Sequence, residues 1–452
     1  MKILFPNHHQ IMIKAINSMF SFKFKYFTLL YLIFAVLLWK CAPLTQSSPI
    51  SNSNPKTLRF ADYAYEPQIK TVLLHPQQGT DDNLLPAVTK LGQWNLILEF
   101  DDLRNQRDNY YVRLIHCNHD WTKSDLMDLD FMTDYNEFNI TNYQISLDTH
   151  VPYIHYTFNL PAVKLPGNYL AVVYRGGDKD DNVITRRFMV YDSRVTFAKD
   201  GNLINSGSVA SLNQQLNFMI NYENLTIPNP LENVWVVVRQ NQRWDNMLTD
   251  LKPSFIRDME KELDYNFFDE TKMFKGGNEF RFFDVRSLNY PGRNVDYLIK
   301  TSKPFECFLQ KDKSRESTTY AQYRDLDGNF IIANLDYSDI NFTNYLNVNF
   351  TLSSAPIQGD VYVAGAFNYW NMDEGNRMKY DSLHGEYKAR MLLKQGWYDY
   401  QYLVKSKTLA PYYFEGSHFE TQNSYEIFFY YKPYQPRAEQ LVGYLRLEQN
   451  PR

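Results

Sequence analysis

Hydrophobic and polar residues alternate in short runs along most of the chain. In the run WNLILEF, the side chains of Trp94, Leu96, Leu98 and Phe100 fall on one face of an extended backbone. Runs of the same kind recur between polar turns, at 110–117, 169–175, 186–191, 216–222 and 234–240. Alternation with a period of two residues is typical of β-strands, so we predict an all-β protein with few short helices.

Two segments test this pattern locally. FIRDMEKELD, at 255–264, places Phe255, Met259 and Leu263 four residues apart, which predicts a short helix. RDLDG, at 324–328, partly resembles a calcium loop, but Tyr323 occupies the place where the first ligand should be. A hairpin turn at Asp327-Gly328 is therefore the favoured interpretation.

Changes in composition divide the chain into domains. A strand-rich block ends near Ser193, and a charged polar stretch follows at 313–325. We predict three β-sandwich domains of the immunoglobulin-like or early-set type, at 57–193, 194–320 and 321–452. They follow a signal peptide at 1–41 and a disordered linker at 42–56.

The N-terminal region has the order of an export signal. Five lysines and no acidic residue precede Cys41, and an apolar run at 27–39 is too short for an ordinary membrane-spanning helix. Cys41 then opens a Ser/Pro/Asn-rich stretch, as in bacterial lipoproteins. Leu38 fits a lipidation signal and Lys40 does not, so two alternatives stay open: a lipidated Cys41 and a plain signal peptide cut near Ala42 or beyond.

Composition and motifs disfavour several classes of function. Without residues 1–40 the chain has 42 basic and 51 acidic residues, a net charge of about −9 with no basic stripe, which disfavours binding to nucleic acid. The sequence has no G-x-S-x-G, H-E-x-x-H, G-x-x-x-x-G-K-[ST] or G-x-G-x-x-G motif. We therefore predict a protein that is not an enzyme and that needs no cofactor.

The segment HCNHDW, at 116–121, is the most suggestive cluster of metal-ligand types. Adjacent strand residues point to opposite faces, so His116 and Cys117 could not both face one ion without a bend. No second Cys/His pair at ligand spacing completes a tetrahedral set. We interpret the segment as a strand end with packed side chains and predict no metal site.

The C-terminal unit resembles the glycogen-binding, AMP-kinase-type carbohydrate module, a small early-set sandwich. The resemblance rests on VYVAGAFNYWN at 361–371, GEYKARMLLKQGWYDYQYLV at 385–404 and TQNSYEI at 421–427. It implies that Trp370 stacks on a sugar or contacts a partner, and that Thr421 and Asn423 are the matching late polar pair. The second stacking tryptophan of that module has no counterpart here, because Lys405-Ser406-Lys407 replaces its turn.

The chain as a whole resembles the plug protein family of the type IX secretion system of Bacteroidetes-type bacteria. The segments that carry the resemblance are TLRFADYAYEPQIKTVLLHP at 57–76, HCNHDW with YNEFNITNY at 135–143, NEFRFFDVRSLN at 278–289, and 414–444. It implies a non-catalytic protein at the periplasmic face of the outer membrane. There it would close the pore of a very large translocon barrel and touch the membrane only through a lipid on Cys41.

An alternative function from a different class uses the C-terminal unit alone. In this interpretation the protein is a glycan-binding envelope lipoprotein, with Trp370, Thr421 and Asn423 at its binding surface. Co-purification with an outer-membrane barrel would favour the plug, and retention on a polysaccharide column would favour the glycan-binding protein.

Overall fold

Almost all regular structure in the chain is β-strand, as the alternating runs predict. The computed structural model describes residues 56–77, 82–198, 204–205, 212–267 and 269–449. The strands of the first sandwich are β1 Tyr63–Ala64, β2 Ile69–Pro76, β3 Val88–Lys90, β4 Leu96–Asp102, β5 Tyr110–Cys117, β6 Phe138–Asn139, β7 Asn142–Ile145, β8 Ile154–Asn159, β9 Gly167–Arg175 and β10 Asp178–Tyr191.

The remaining strands belong to two further sandwiches. They are β11 Thr196–Ala198, β12 Ile204–Asn205, β13 Asn213–Leu216, β14 Phe218–Asn221, β15 Val234–Gln240, β16 Leu248–Leu251, β17 Phe255–Arg257, β18 Glu262–Tyr265, β19 Phe274–Lys275, β20 Arg281–Asp284, β21 Val295–Ile299, β22 Phe305–Leu309, β23 Asp312–Lys313, β24 Phe330–Ile332, β25 Tyr345–Ser353, β26 Asp360–Ala364, β27 Lys379–Asp381, β28 Glu386–Lys394, β29 Gly396–Lys405, β30 Asn423–Tyr431 and β31 Gln440–Gln449.

Helices are short throughout the described residues. The α-helices there are α1, Asp128–Phe131, and α2, Pro230–Asn233. The 3-10 turns are Asp82–Leu84, Glu270–Lys272, Ile340–Phe342 and Ala366–Asn368. No helix in these ranges is long and apolar enough to cross a membrane. The predicted signal peptide, linker and Cys41 lie outside the described residues, apart from Lys56 at the end of the linker.

The first sandwich packs two antiparallel sheets. One sheet has the order β1-β10-β9-β5-β6, with β3 added in parallel to β10, and the other has the order β2-β4-β8-β7. Their inner faces form one core that includes Phe100, Tyr110, Tyr156 and Val173, each fully buried. Aromatic and β-branched residues suit such a pleated interior, because they pack well against cross-strand neighbours.

The second sandwich is discontinuous in sequence. Its sheets have the orders β11-β14-β18-β17, β12-β13-β19 and β16-β15-β30-β31. Strand β15 pairs with β30 along its whole length, from Val234 opposite Tyr431 to Gln240 opposite Tyr425. The last two strands of the chain therefore complete a core that begins with β11.

The third sandwich is inserted between β19 and β30. Its sheets are β20-β29-β24, with β26 also paired to β29, and β21-β22-β25-β28-β27, with β23 paired to β25. The predicted division at 193 and 320 stays a prediction. Pairing nevertheless runs across residue 320, since β20 joins β29 and β15 joins β30.

A fourth apolar core joins the first sandwich to the second. It contains Leu170 and Val172 from β9, Val237 from β15, and Phe428 and Tyr430 from β30. Residues on both faces of β9 and β30 are buried, so each strand contributes to two cores. Burial on both faces explains why their sequences are nearly continuous apolar runs.

The predicted helix at 255–264 is wrong. The segment forms a hairpin of β17 and β18, with Lys261 in the turn at a φ of 57°. Leu263 is fully buried in the second core, but Phe255 is 61% exposed and Met259 is 92% exposed. The three residues therefore do not share a buried face, and pairing of β18 with β14 overrides the helical spacing.

Candidate functional site

Trp370, the predicted contact residue, is buried where the three sandwiches meet. It follows the 3-10 turn Ala366–Asn368, and Tyr369 and Trp370 both have left-handed backbone, with φ of 57° and 62°. The side chain is 7% exposed, and its ring centroid lies 5.7 Å from that of Phe280. The guanidinium carbon of Arg243 lies 4.1 Å from the centroid of the Trp370 ring. A ring covered in this way offers little surface for stacking on a sugar.

Thr421 and Asn423 are buried polar residues. Thr421 precedes β30, and Asn423 is its first residue. Thr421 Oγ1 donates a hydrogen bond to the Gly277 carbonyl oxygen at 2.9 Å. Asn423 Nδ2 donates to the Gly276 carbonyl oxygen at 2.8 Å and to Gln214 Oε1 at 2.9 Å. These bonds connect the segments that enter and leave the third sandwich. Both side chains are therefore buried and hydrogen-bonded within the protein, and their role in glycan or partner contact stays a prediction.

The HCNHDW segment is packed within the protein. His116 faces Tyr169 in the first core and lies 2.9 Å from Ser124 Oγ, whereas Cys117 points to the opposite face and packs near Leu170. Burial lowers the pKa of His116 to about 4 and raises the pKa of Cys117 to about 12. Among the described residues, no group of three His, Cys, Asp or Glu side chains could hold a metal ion.

His119 from the same segment links the first sandwich to the second. Its Nδ1 lies 2.8 Å from Glu439 Oε2, and its backbone N–H donates to the same oxygen at 2.6 Å. The ring stacks on Trp235 with a centroid distance of 5.2 Å. The segment therefore fixes the contact between two sandwiches.

A cavity of about 90 Å³ lies at the junction of the three sandwiches. Its polar wall includes Asp62, Arg186 and Arg187 from the first sandwich and Arg239 and Asn241 from the second. The third sandwich contributes an aromatic wall that includes Tyr369 and Trp370. We call this space the junction cavity. Neither Thr421 nor Asn423 is among its lining residues in the described part of the chain.

Two of the three arginines of the junction cavity donate a hydrogen bond to a carboxylate, and the third, Arg186, lies 3.8 Å from Asp62 Oδ1. Arg187 donates from Nη2 to Asp62 Oδ2 at 3.0 Å, and Arg239 donates from Nε to Glu426 Oε2 at 2.6 Å. Burial lowers the pKa of Arg187, and the positive charges of Arg239 and Arg186 add to this effect against the attraction of Asp62. Burial also raises the pKa of Asp62, but Arg187 and Arg186 outweigh it, so the pKa lies below its ordinary value.

A second polar contact joins the first sandwich to the third. Asp101 of β4 is fully buried, and its Oδ2 accepts from Lys394 Nζ at 2.7 Å and from Tyr345 Oη at 2.6 Å. His155 Nδ1 lies 2.7 Å from Asp101 Oδ1. Asp101 is one of three acidic residues of β4, with Glu99 and Asp102, and Lys394 is 293 residues away, so the local sequence does not single out this buried ion pair.

The Asp327-Gly328 turn, predicted from sequence, has left-handed backbone at both residues, with φ of 53° and 81°. Asp399 Oδ2 accepts hydrogen bonds from the backbone N–H groups of Leu326 and, at 3.3 Å, Gly328. Burial raises the pKa of Asp399, and repulsion from Asp325 raises it further. Burial and the nearby Asp327 likewise raise the pKa of Asp325. The turn thus brings two carboxyl groups together inside the protein.

The most exposed large apolar side chains of the first sandwich lie in the region that contains a groove of about 600 Å³. Met127 and Leu129 are 75% and 79% exposed, and Tyr135 is 77% exposed. Met127 and Lys179 line the groove, and Lys179 Nζ lies 5.9 Å from the ring centroid of Tyr135. We call Met127, Leu129 and Tyr135 the apolar patch. Large apolar side chains that are exposed close together in the chain are candidates for an interaction surface.

Comparison with known proteins supports one part of the sequence interpretation. Residues 69–192 match the family model described as "Type 9 secretion system plug protein 1st domain". This range contains β2 to β10 and the apolar patch. The match supports a role related to the type IX secretion plug and, together with the all-β fold, favours a protein that is not a catalyst.

The whole fold has a counterpart among solved structures. The crystal structure of a hypothetical protein from Parabacteroides merdae is 29% identical to this chain, with a TM-score of 0.80. The similarity covers 87% of this chain and 100% of that chain. No curated protein matches the chain. The resemblance of the C-terminal unit to a glycogen-binding module stays a prediction.

Proposed function

We propose that this protein closes the pore of the outer-membrane translocon of the type IX secretion system from its periplasmic side. The observation that carries the proposal is the match of residues 69–192 to the first domain of the plug family. The partner would be a very large β-barrel, and the protein would act by steric fit without catalysis.

The way in which the three sandwiches are held together suits a plug. A body that blocks a wide pore must resist deformation, and separate domains move relative to one another unless their interfaces are extensive. Here the first and second sandwiches share an apolar core, and the buried pair of Asp101 and Lys394 joins the first to the third. These contacts support a single stiff body in place of three hinged modules.

The apolar patch is the surface that we propose to contact the translocon. It lies on the part of the chain that matches the plug family, and its exposed side chains are apolar and aromatic. Stable interfaces bury on the order of 1,600 Å² and have such residues near their centres. Binding of this kind should persist at high salt, because salt weakens attraction between charges, with a screening length of about 10 Å at 0.1 M, and leaves apolar contacts in place.

Deletion of the gene and co-purification test the function. We expect the translocon to assemble in the deletion strain and to become leaky to large solutes, while secretion is less affected. Affinity-tagged protein should recover a very large outer-membrane barrel from solubilised membranes in both low and high salt. An unchanged envelope permeability, or a barrel that never retains the protein, would contradict the proposal.

Paired variants test the apolar patch separately. The double variant Met127→Lys and Leu129→Lys should recover at least about tenfold less barrel, since central apolar contacts are worth 1.4 kcal/mol or more. The matched control is Met259→Lys with Leu383→Lys, two side chains that are 92% and 85% exposed on other sandwiches. Equal recovery by the two variants would place the contact surface elsewhere.

A further inference from the structure

We infer that the junction cavity binds a small oxyanion of the phosphate or sulfate type. The inference rests on the side chains that converge there and does not depend on the pore-closing role. Such an anion would contact residues of more than one sandwich and would therefore stabilise their mutual arrangement.

The charges around the junction cavity do not balance. Arg186, Arg187 and Arg239 contribute three positive charges, whereas Asp62 and Glu426 contribute two negative ones. Arg186 and Arg187 share the Asp62 carboxylate, at 3.8 and 3.0 Å, so one negative charge compensates two positive ones. One bound anion would neutralise the remaining positive charge.

Arg186 is the side chain with free hydrogen-bonding capacity. Its Nε is buried and has no hydrogen-bond partner among the described residues. Its Nη1 lies 3.8 Å from Asp62 Oδ1, beyond hydrogen-bond length, and its guanidinium carbon lies 4.9 Å from the ring centroid of Tyr369. A planar guanidinium held on an aromatic ring presents a fixed fork of N–H donors, which matches the oxygen atoms of an oxyanion.

Neutral side chains complete the wall and are held in place by contacts within the protein, since Asn241 Nδ2 donates to Asn423 Oδ1 at 2.7 Å. Asn241 lines the junction cavity, and its Oδ1 accepts from the Ser424 backbone N–H at 2.8 Å, which fixes the orientation of the amide. Trp244 stacks under the guanidinium of Arg239 at 4.2 Å and holds that arginine in place. The site is therefore built before a ligand arrives, which reduces the entropic cost of binding.

The size of the junction cavity limits the ligand. A volume of about 90 Å³ is several times the roughly 10–15 Å³ that accommodates one water molecule. This volume has room for one tetrahedral oxyanion. Inorganic phosphate and sulfate are therefore the probes that match the site in size and charge.

Titration of the purified protein with sodium phosphate and sodium sulfate, against sodium chloride at constant ionic strength, tests the inference. At 100-fold excess over Kd, we expect phosphate or sulfate to raise Tm by about 3 °C or more above the chloride control. Calorimetry should show one site per chain. Equal Tm values in all three salts would overturn the inference without any variant.

Variants of Arg186 identify the site. Arg186→Gln removes a charge without breaking an existing hydrogen bond and should weaken phosphate binding at least tenfold. Arg186→Lys, which keeps the charge, should retain part of the binding and covers the case in which Arg186→Gln fails to fold. Arg377→Gln also removes one positive charge, but at the surface, and should bind phosphate like the original protein. Unchanged phosphate affinity in both Arg186 variants would refute the assignment.

Discussion

The buried pair of Asp101 and Lys394 gives the sharpest test of how the sandwiches are held together. Lys394 is 3% exposed and donates to a carboxylate that is fully buried. Its Nζ also lies 4.0 Å from the ring centroid of Tyr153. The variant Lys394→Met keeps the approximate length of the side chain and removes its charge. It would leave the Asp101 carboxylate in the interior with hydrogen bonds from its remaining neighbours.

The expected cost follows from the uncompensated charge. Removal of one partner from a buried ion pair typically costs about 3–5 kcal/mol. Tyr345 and His155 still contact Asp101 at 2.6 and 2.7 Å, so we expect a loss at the lower end, about 3 kcal/mol. Lys388→Met is the matched control, because Lys388 also lies 2.7 Å from a carboxylate but is 44% exposed. It should leave the free energy of unfolding nearly unchanged.

Urea unfolding of Lys394→Met, of Asp101→Asn, of the double variant that combines them, and of the control Lys388→Met measures the effect. The double variant should lose less than the sum of the single losses, because it leaves no buried charge unpaired. Similar losses for Lys394→Met and Lys388→Met would refute a buried charge as the cause. So would strict additivity in the double variant.

The pH dependence of the pair has a defined sign. Burial raises the pKa of Asp101, but attraction to Lys394 and the His155 hydrogen bond outweigh it, so the folded-state pKa lies below the ordinary value. Such a carboxylate stabilises the folded state above its unfolded pKa of about 3.9, and this contribution disappears as the pH falls through the folded pKa. The difference between the protein and Lys394→Met should therefore shrink below about pH 4.

Three further outcomes follow from the region around Trp370. Gly328→Ala should lower the free energy of unfolding in urea by about 3 kcal/mol, because the φ of Gly328 is +81° and a Cβ there would lie 2.6 Å from the Trp370 ring. Gly92→Ala is the control: its φ is +89° but a Cβ would meet no atom within 4 Å, so it should cost only about 1–2 kcal/mol. Asp325→Asn should raise Tm at pH 8 and have little effect near pH 4. The pKa of Asp325 is raised in the folded protein, so its ionisation destabilises the folded state progressively as the pH rises above the pKa of the unfolded chain. An equal change in Tm at both pH values would contradict this. Trp370→Ala should cost about 3–5 kcal/mol, and fluorescence titration of the unaltered protein with α-glucans should show no micromolar binding; tight binding that is lost in the variant would restore the glycan-binding alternative.

The strand content could be predicted because most strands carry their own signal. The period-two runs at β4 and β5 place every second side chain in the core of the first sandwich. The apolar run of β9 was recognisable as a strand, but its second buried face was not. That face is covered by β15 and β30, and no local pattern shows which distant strand will cover it.

The candidate sites could be predicted less well than the fold. Arg186 and Arg187 stand next to each other in the sequence, but Arg239 and Trp370 join them only when three sandwiches meet. Trp370 was noticed through its motif, and the structure buries it at that junction. Local sequence therefore identified one side chain of the junction cavity and gave no indication of its neighbours or its charge.

The insertion of the third sandwich into the second explains how a chain of many short strands can form a stiff body. Two connections cross between these sandwiches, and they are hydrogen-bonded to each other. His418 N–H donates to the Gly277 carbonyl oxygen at 2.7 Å, and Asn278 Nδ2 donates to the Glu415 carbonyl oxygen at 2.9 Å. A domain on a single linker can pivot about it, but one held by two paired connections must break these bonds to do so. Strand β30 belongs to the core of the second sandwich and also packs against the first sandwich. The connection that leaves the third sandwich therefore leads directly into a strand that contacts both of the others.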